Sequence, residues 1–310
     1  PLPPEGVYAS LVEVDGASLL WLPAFLTDEQ FRQKITKNIK DKVALKPFWD
    51  NFDALKDFTR QQQIEPVLNK LRQFTLRPGL RNVLGQAKPK FSLTDLFYQR
   101  KIVLVPLNKG IIGGECARLL GSLIVGLTWT LALSRAKLPP EKRHMVAVYI
   151  DELQDYLSLP TDLSDALAQA RGLGLSLTLA HQYRDQLPAN IRAGIDANAL
   201  NKILFGLNAT DAKAMAAMAP ELTAEDFMRL PRYQVYASLQ AGGRATGWIR
   251  GKTLPPEKAI RMPAELRAVS QKRFGKPVAE VEQEYLSVIS GAAAAPSETP
   301  DAPIGRRKRC

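Results

Sequence analysis

Hydrophobic positions fall into two textures along the chain. Over 26–95 they recur every three or four residues: Phe31, Ile35 and Ile39, then Phe48, Trp49, Phe52, Leu55 and Phe58, then Ile64, Val67, Leu68 and Leu71. That period places them on one face of successive helices. Thr27 with Gln30 reads as a capping box opening the first helix, and Arg77-Pro78-Gly79 closes the last. Aromatic residues at helical spacing read as core rather than as platforms for stacked bases.

After Phe91 the pattern changes. Residues 101–107 form a short apolar run rich in β-branched residues, bounded by Asn108-Lys109-Gly110, and predict a buried parallel strand. A helix over 115–134 follows, apolar on nearly every face from Leu119 to Leu133. Those 15 residues are too few to cross a bilayer, so the helix reads as one buried against a sheet. Strands over 145–150, 175–180 and 202–207 then alternate with helices over 163–170 and 188–197. Short helices over 211–219 and 224–229 precede strands 234–240 and 245–250, which pair as a hairpin across Ala241-Gly242-Gly243. This alternation predicts an α/β class: a parallel sheet with helices on both faces, beside a separate all-α domain. The divisions expected are an entry segment (1–25), a basic helical domain (26–95), the α/β part (96–256) and a helical extension (257–290). A disordered basic tail (291–310) ends the chain.

Charge sharpens this picture more than overall composition does. An apolar fraction of 45%, 24% charged residues and a mean hydropathy of −0.15 are ordinary for a soluble chain of 310 residues. They exclude collagen, coiled coil, general disorder and a multi-span membrane protein. Forty-two Lys and Arg against 31 Asp and Glu leave +11, which suits polyanions, nucleic acid first and an acidic membrane surface second. Most of that excess is local: residues 32–101 hold 16 basic and six acidic side chains, a balance of +10. The stretch is either a solvated face or a surface for phosphates, with Lys37, Lys40, Lys42 and Lys46 as the DNA-binding candidates. Two cysteines, Cys116 and Cys310, make neither a disulfide framework nor a metal site, which fits a reducing cytoplasm. The chain starts at Pro1 without a signal peptide, and the expectation is a piece of a longer protein.

The string Val146-Ala147-Val148-Tyr149-Ile150-Asp151-Glu152 has the Walker B arrangement, an apolar strand ending in two acids. Such a strand delivers both carboxylates to the carboxyl edge of a parallel sheet, where open α/β folds bind ligands. Asp151 is the expected Mg²⁺ ligand, through water, and Glu152 the group that orients and activates the water attacking the γ-phosphate of ATP. A solvated turn after a strand is the plainer alternative. The next strand ends in Ala180-His181-Gln182, which puts a carboxamide at the same edge, able to sense the γ-phosphate or steady that water. His181 reads as a packing or hydrogen-bonding residue rather than a ligand. Arg171 ends the helix after the Walker B strand, either as a partner for the helix dipole or as an arginine offered to a neighbouring subunit's nucleotide. No G-x-x-x-x-G-K-[S/T] is present; Lys109-Gly110-Ile111-Ile112-Gly113-Gly114 and Arg171-Gly172-Leu173-Gly174 both lack the lysine and hydroxyl where phosphates need them.

The order of segments resembles the C-terminal part of the HerA/FtsK-like P-loop ATPases and, within them, the TraG/TraD-type coupling proteins of conjugation and type IV secretion. The resemblance covers about 17–254. It is carried by Gly16-Ala17-Ser18-Leu19-Leu20, Leu26-Thr27-Asp28-Glu29-Gln30-Phe31, Phe48-Trp49, Pro66-Val67-Leu68-Asn69-Lys70-Leu71 and Leu80-Arg81-Asn82-Val83-Leu84-Gly85-Gln86. Tyr149-Ile150-Asp151-Glu152-Leu153-Gln154 and the run ending in Ala180-His181-Gln182-Tyr183 complete it. The resemblance implies a RecA-like core interrupted, after its Walker A strand, by a helical domain where the basic stretch falls. It implies a homo-oligomeric ring, a hexamer, that moves DNA using ATP and Mg²⁺, with relaxosome or secretion-channel proteins as partners. Membrane contact would come only through an N-terminal anchor outside this chain, at the cytoplasmic face of the inner membrane. The missing Walker A motif departs from the family pattern. Two alternatives remain: a non-hydrolysing DNA- or relaxosome-binding module of the same fold, and another HerA-like DNA-processing motor.

Overall fold

The computed structural model describes residues 4–37, 39–157 and 163–290. The tail expected over 291–310 lies outside the described residues. The chain divides into two compact units, one from the described parts of 1–90 and 267–310, the other from 91–266.

The first unit is built of helices α1 (Pro4–Val12), α2 (Leu22–Thr27), α3 (Glu29–Thr36), α4 (Leu45–Asp53), α5 (Asp57–Thr75) and α6 (Pro78–Leu84). The predicted apolar faces meet in one core around Trp21, Phe25, Phe31, Trp49, Phe52, Ile64 and Leu68. Trp49 stacks edge-on to Phe25, Phe48 and Phe52. Its indole N–H donates to Ser10 Oγ at 2.8 Å, so the buried ring keeps a polar partner. The cap of α3 differs from the expectation. Asp28, not Thr27, is the N-cap, accepting from Phe31 N at 3.0 Å. Thr27 still belongs to α2 and donates to Pro23 O, and this local bond removes it from the capping role. Phe58 is exposed rather than part of the core.

Arg32, counted with the basic stretch, points inward and is only 1% exposed. Its Nε donates to Asp53 at 2.8 Å, Nη1 donates to the carbonyls of Phe25 and Leu26, and the guanidinium lies over the Phe52 ring. It thereby satisfies carbonyls at the end of α2 that have no helical partner.

The second unit begins with α7 (Thr94–Tyr98), α8 (Lys109–Ile112) and α9 (Gly114–Ser134). The strand predicted over 101–107 is not formed; the segment is irregular, and Ile102 and Leu104 are 91% and 83% exposed. An apolar alternation becomes a strand only when a neighbouring strand takes its hydrogen bonds, and none does so among the described residues. The apolar helix forms within one residue of the expected bounds, and a 3-10 turn extends it to Lys137. Gly114–Lys137 spans 24 residues, enough by length and composition to cross a membrane. In this unit its Trp129 and Ala132 instead join the core beneath the sheet.

Strand β1 (Val146–Ile150), helix α10 (Leu163–Gln169), strand β2 (Leu175–Leu179) and helix α11 (Ala189–Asn198) follow. β1 and β2 pair in parallel, with Val146 opposite Leu175 and Ile150 opposite Leu179. Val146, Ile150 and Leu175 pack with residues of α9, α10 and α11, whereas Ala147, Tyr149, Ser176 and Thr178 on the other face are exposed. Cover on both faces was expected; among the described residues one face is covered.

Strand β3 (Lys202–Leu204), helices α12 (Ala209–Ala216) and α13 (Ala224–Met228), and strands β4 (Gln234–Ala241) and β5 (Arg244–Lys252) make a second sheet of order β3-β4-β5. The strand expected over 202–207 is therefore shorter, and it runs antiparallel to β4 instead of extending the parallel sheet. Asn208 caps α12 through Asp211 N at 2.9 Å and ends the extended chain. The predicted hairpin forms: Gly242 and Gly243 have φ of 58° and 78°, the left-handed pair that a two-residue turn of this twist demands. Helices α14 (Pro263–Phe274) and α15 (Val278–Ile289) are the last among the described residues, and Tyr285 and Val288 of α15 pack on the aromatic core of the first unit.

Candidate functional site

The parallel register of β1 and β2 brings the ends of both strands side by side. The ladder continues past the strands: Ala180 N donates to Ile150 O and Leu153 N to Ala180 O, each at 2.9 Å. Asp151 and Glu152 thus leave β1 next to Gln182 leaving β2. Gln182 Nε2 donates to Glu152 Oε1 at 2.7 Å. The backbone beneath Gln182 is held as well, since Gln186 Oε1 accepts from Gln182 N and Tyr183 N at 3.1 and 3.2 Å.

Glu152 has φ 53° and ψ 52°, a left-handed conformation that costs a non-glycine residue roughly 1–3 kcal/mol. Several bonds enforce it. Its own N–H donates to Asp151 Oδ1 at 3.1 Å, and its carbonyl accepts from Asp155 N at 2.9 Å. Leu153, 1% exposed, anchors the turn in the core. Gln154 Nε2 donates to Glu152 Oε2, so both carboxylate oxygens meet a carboxamide. Asp151 is exposed at the tip of the same turn.

A second pair lies beside these acids. Lys109 Nζ contacts Asp155 Oδ2 at 2.5 Å. The hydrogen bond to Asp155 holds the Lys109 ammonium above its usual range, and the charge of Glu152 adds to the effect. Burial pushes the Tyr156 phenol up, helped by Asp155, Asp151 and Glu152. The Tyr156 ring rests on α9 where Gly121 leaves room: a Cβ there would lie 2.2 Å from a ring carbon.

The other sequence candidates lie elsewhere. Arg171 is exposed in the 3-10 turn Ala170–Leu173, between α10 and β2. It therefore sits at the amino end of the strand whose carboxyl end carries Gln182, about 16 Å away along five residues of strand. His181 is half-buried, and its buried Nδ1 has no hydrogen-bond partner among the described residues. Lys37, Lys40, Lys42 and Lys46 belong to the first unit, on the segment from the end of α3 into α4. All four are exposed, and Lys46 pairs with Asp50 at 2.8 Å.

Among the described residues no three His, Cys, Asp or Glu side chains gather into a metal cage. Mg²⁺ does not need one, because it keeps several waters and takes one or two carboxylates plus phosphate oxygens. Exposed Asp151 beside Glu152 fits that donor set. The phosphate side does not fit. Lys109 is committed to Asp155, Asn108 Oδ1 accepts from Gly110 N at 2.9 Å, and no hydroxyl follows. Gln154, Lys109 and Asp155 were not among the sequence candidates. For Gln154 and Asp155 the available signal was their place two and three residues after Glu152; Lys109, distant in sequence, is brought there only by the fold.

The chain is similar in fold to solved structures of the plasmid coupling protein TrwB. Against the complex with ADP and Mg²⁺ the identity is 20% and the TM-score 0.49, covering 84% of this chain and 70% of that one. Against the complexes with the non-hydrolysable GTP analogue GDPNP and the ATP analogue ADPNP the identity is 24% and the TM-score 0.40. Those matches cover 49% of this chain and 40% of theirs, so the chain spans about two fifths of the first structures it matches. No family model matches the chain, and no curated protein does.

Proposed function

We propose that the chain is the Walker B-bearing part of an ATP-driven DNA-translocating motor of the conjugative coupling type. In this reading β1 and β2 belong to a RecA-like core and the basic helices to an inserted domain. The observation that carries it is the 2.7 Å hydrogen bond from Gln182 Nε2 to Glu152 Oε1 at the paired carboxyl ends of two parallel strands. That edge is where such sheets bind nucleotides. When bound, magnesium–ATP supplies the reacting phosphoryl group and the cation that offsets its charge. Asp151 would hold the cation through water, and Glu152 orients the attacking water and takes its proton. Gln182 sits where it can turn from Glu152 to the γ-phosphate. Arg171, at the far end of β2, serves the nucleotide of a neighbouring copy in a hexameric ring. Lys37, Lys40, Lys42 and Lys46 contact DNA phosphates without reading bases. The phosphate cradle and any membrane anchor belong to chain outside these 310 residues. The protein acts at the cytoplasmic face of the inner membrane with relaxosome or secretion-channel proteins.

One observation favours a second reading, the non-hydrolysing binding module: both oxygens of Glu152 already accept from carboxamides. Hydrolysis separates the two. The 310-residue chain alone is expected to show no ATPase activity. In a longer chain carrying a Walker A motif, Glu152→Gln should bind ATP yet lose turnover by about a hundredfold or more. Steady-state ATPase assays with separate nucleotide-binding measurements check this, and unchanged turnover would remove Glu152 from the chemistry.

A further inference from the structure

We infer that Gln154 is a positioning residue that fixes the carboxylate of Glu152, an inference that rests on reading Glu152 as the water-activating base. Two carboxamides hold that carboxylate, and they are not equivalent. Gln182 is exposed and comes from the neighbouring strand, donating to Oε1. Gln154 is half-buried and comes from the same turn, next to fully buried Leu153, donating to Oε2. The carbonyl oxygen of the Gln154 amide is buried and accepts no hydrogen bond among the described residues. The bond to Glu152 is thus what orients this amide.

The chemistry of the pair suits a holder and a releasable cap. Each carboxylate oxygen has two acceptor positions. Gln154, on the inner side, keeps Oε2 in place while Gln182, on the solvent side, exchanges with water or a ligand. Oε1 then becomes the oxygen presented to the reacting water. A carboxamide suits the holding role because it orients Glu152 by donating a hydrogen bond without bringing a second charge to the carboxylate. A lysine or arginine there would favour the charged carboxylate and weaken it as a base. The left-handed backbone at Glu152 aims the side chain back over its own turn, within reach of residue 154.

The 310-residue chain without nucleotide provides the test. Gln154→Leu keeps the size and removes the donor. Amide hydrogen exchange at Leu153, whose N–H ties the turn to Ala180 O, and at Asp155, whose N–H closes the turn on Glu152 O, should then accelerate about tenfold. In a Glu152→Ala background the same change should add nothing. Gln154→Glu is the second variant, in case leucine prevents folding. It sets a like charge against Glu152 and should accelerate exchange in the native background alone. Equal acceleration with and without Glu152 would overturn the inference, since Gln154 would then merely pack the turn; so would no acceleration in either background. In a chain completed with a Walker A motif, Gln154→Leu should lower kcat about tenfold with KM for ATP unchanged, and an unchanged kcat would likewise overturn it. A completed chain that binds no nucleotide sinks the motor reading, while coupling seen by exchange would still support Gln154 as the holder of Glu152.

Discussion

The aromatic core of the helical unit and the parallel sheet of the other unit treat their apolar residues in opposite ways. Trp21, Phe25, Trp49 and Phe52 are enclosed by neighbouring helices, and inward-pointing Arg32 is neutralised by Asp53. β1 buries Val146 and Ile150 but leaves Tyr149 77% exposed, and the apolar run before α8 lies open to solvent. A helix satisfies its own backbone and needs only a stripe of neighbours, which nearby sequence supplies. A parallel strand needs partners on two edges and cover on two faces, and these come from distant sequence. The acids of the two units follow the same division. Asp53 meets a buried cation and holds structure, whereas Glu152 meets neutral amides at an exposed strand end.

The strongest way to break this comparison is to unpair Arg32. Asp53→Ala strands a guanidinium that is almost fully buried, and should cost the helical unit about 3 kcal/mol. Urea unfolding followed by tryptophan fluorescence reads it. A loss below ~1 kcal/mol would mean the core is looser than its burial implies. Gly121→Ala comes next. Its methyl must displace the Tyr156 ring, an overpacking penalty of about 1–3 kcal/mol in the sheet unit. Because Tyr156 ends the turn that carries Glu152, the same variant should loosen Leu153 in hydrogen exchange.

A closed core also lets the surface above it be rewritten. Reversing Lys37, Lys40, Lys42 and Lys46 to Glu leaves the buried helix faces untouched, so the melting temperature should hold within a few degrees. Affinity for duplex DNA should fall about tenfold near 0.15 M salt, and the log–log salt slope should flatten by about 0.7–0.9 for every phosphate no longer neutralised. Titrations at several salt concentrations check both. Unaltered binding would leave these lysines as a solvated face. The smallest effect belongs to the open face of the sheet: Tyr149→Ser should change stability by less than ~0.5 kcal/mol in this chain. A larger loss, measured by the same urea titration, would show that the open face is covered in solution.

Much of this protein was legible as sequence because the signals are local. Three- and four-residue apolar spacing marked α3 to α5, and the double glycine marked the β4–β5 turn. An apolar strand ending in Asp151-Glu152 marked β1 and the acids it carries, and the strand after it pointed to Gln182. Each depends on periodicity or on residues adjacent in the chain. Only the tertiary structure decided the rest. Residues 101–107 have the composition of a strand, but pairing is a property of two segments, and no second strand pairs with them among the described residues. Residues 202–204 look like a further parallel strand, yet β4 offers an antiparallel edge and captures them. The inward turn of Arg32, the ion pair of Lys109 with Asp155 and the grip of Gln154 on Glu152 are likewise outcomes of side-chain direction. Composition records such residues only as charged or polar; whether each faces solvent, a carbonyl or a carboxylate is settled when the backbone brings those groups within about 3 Å.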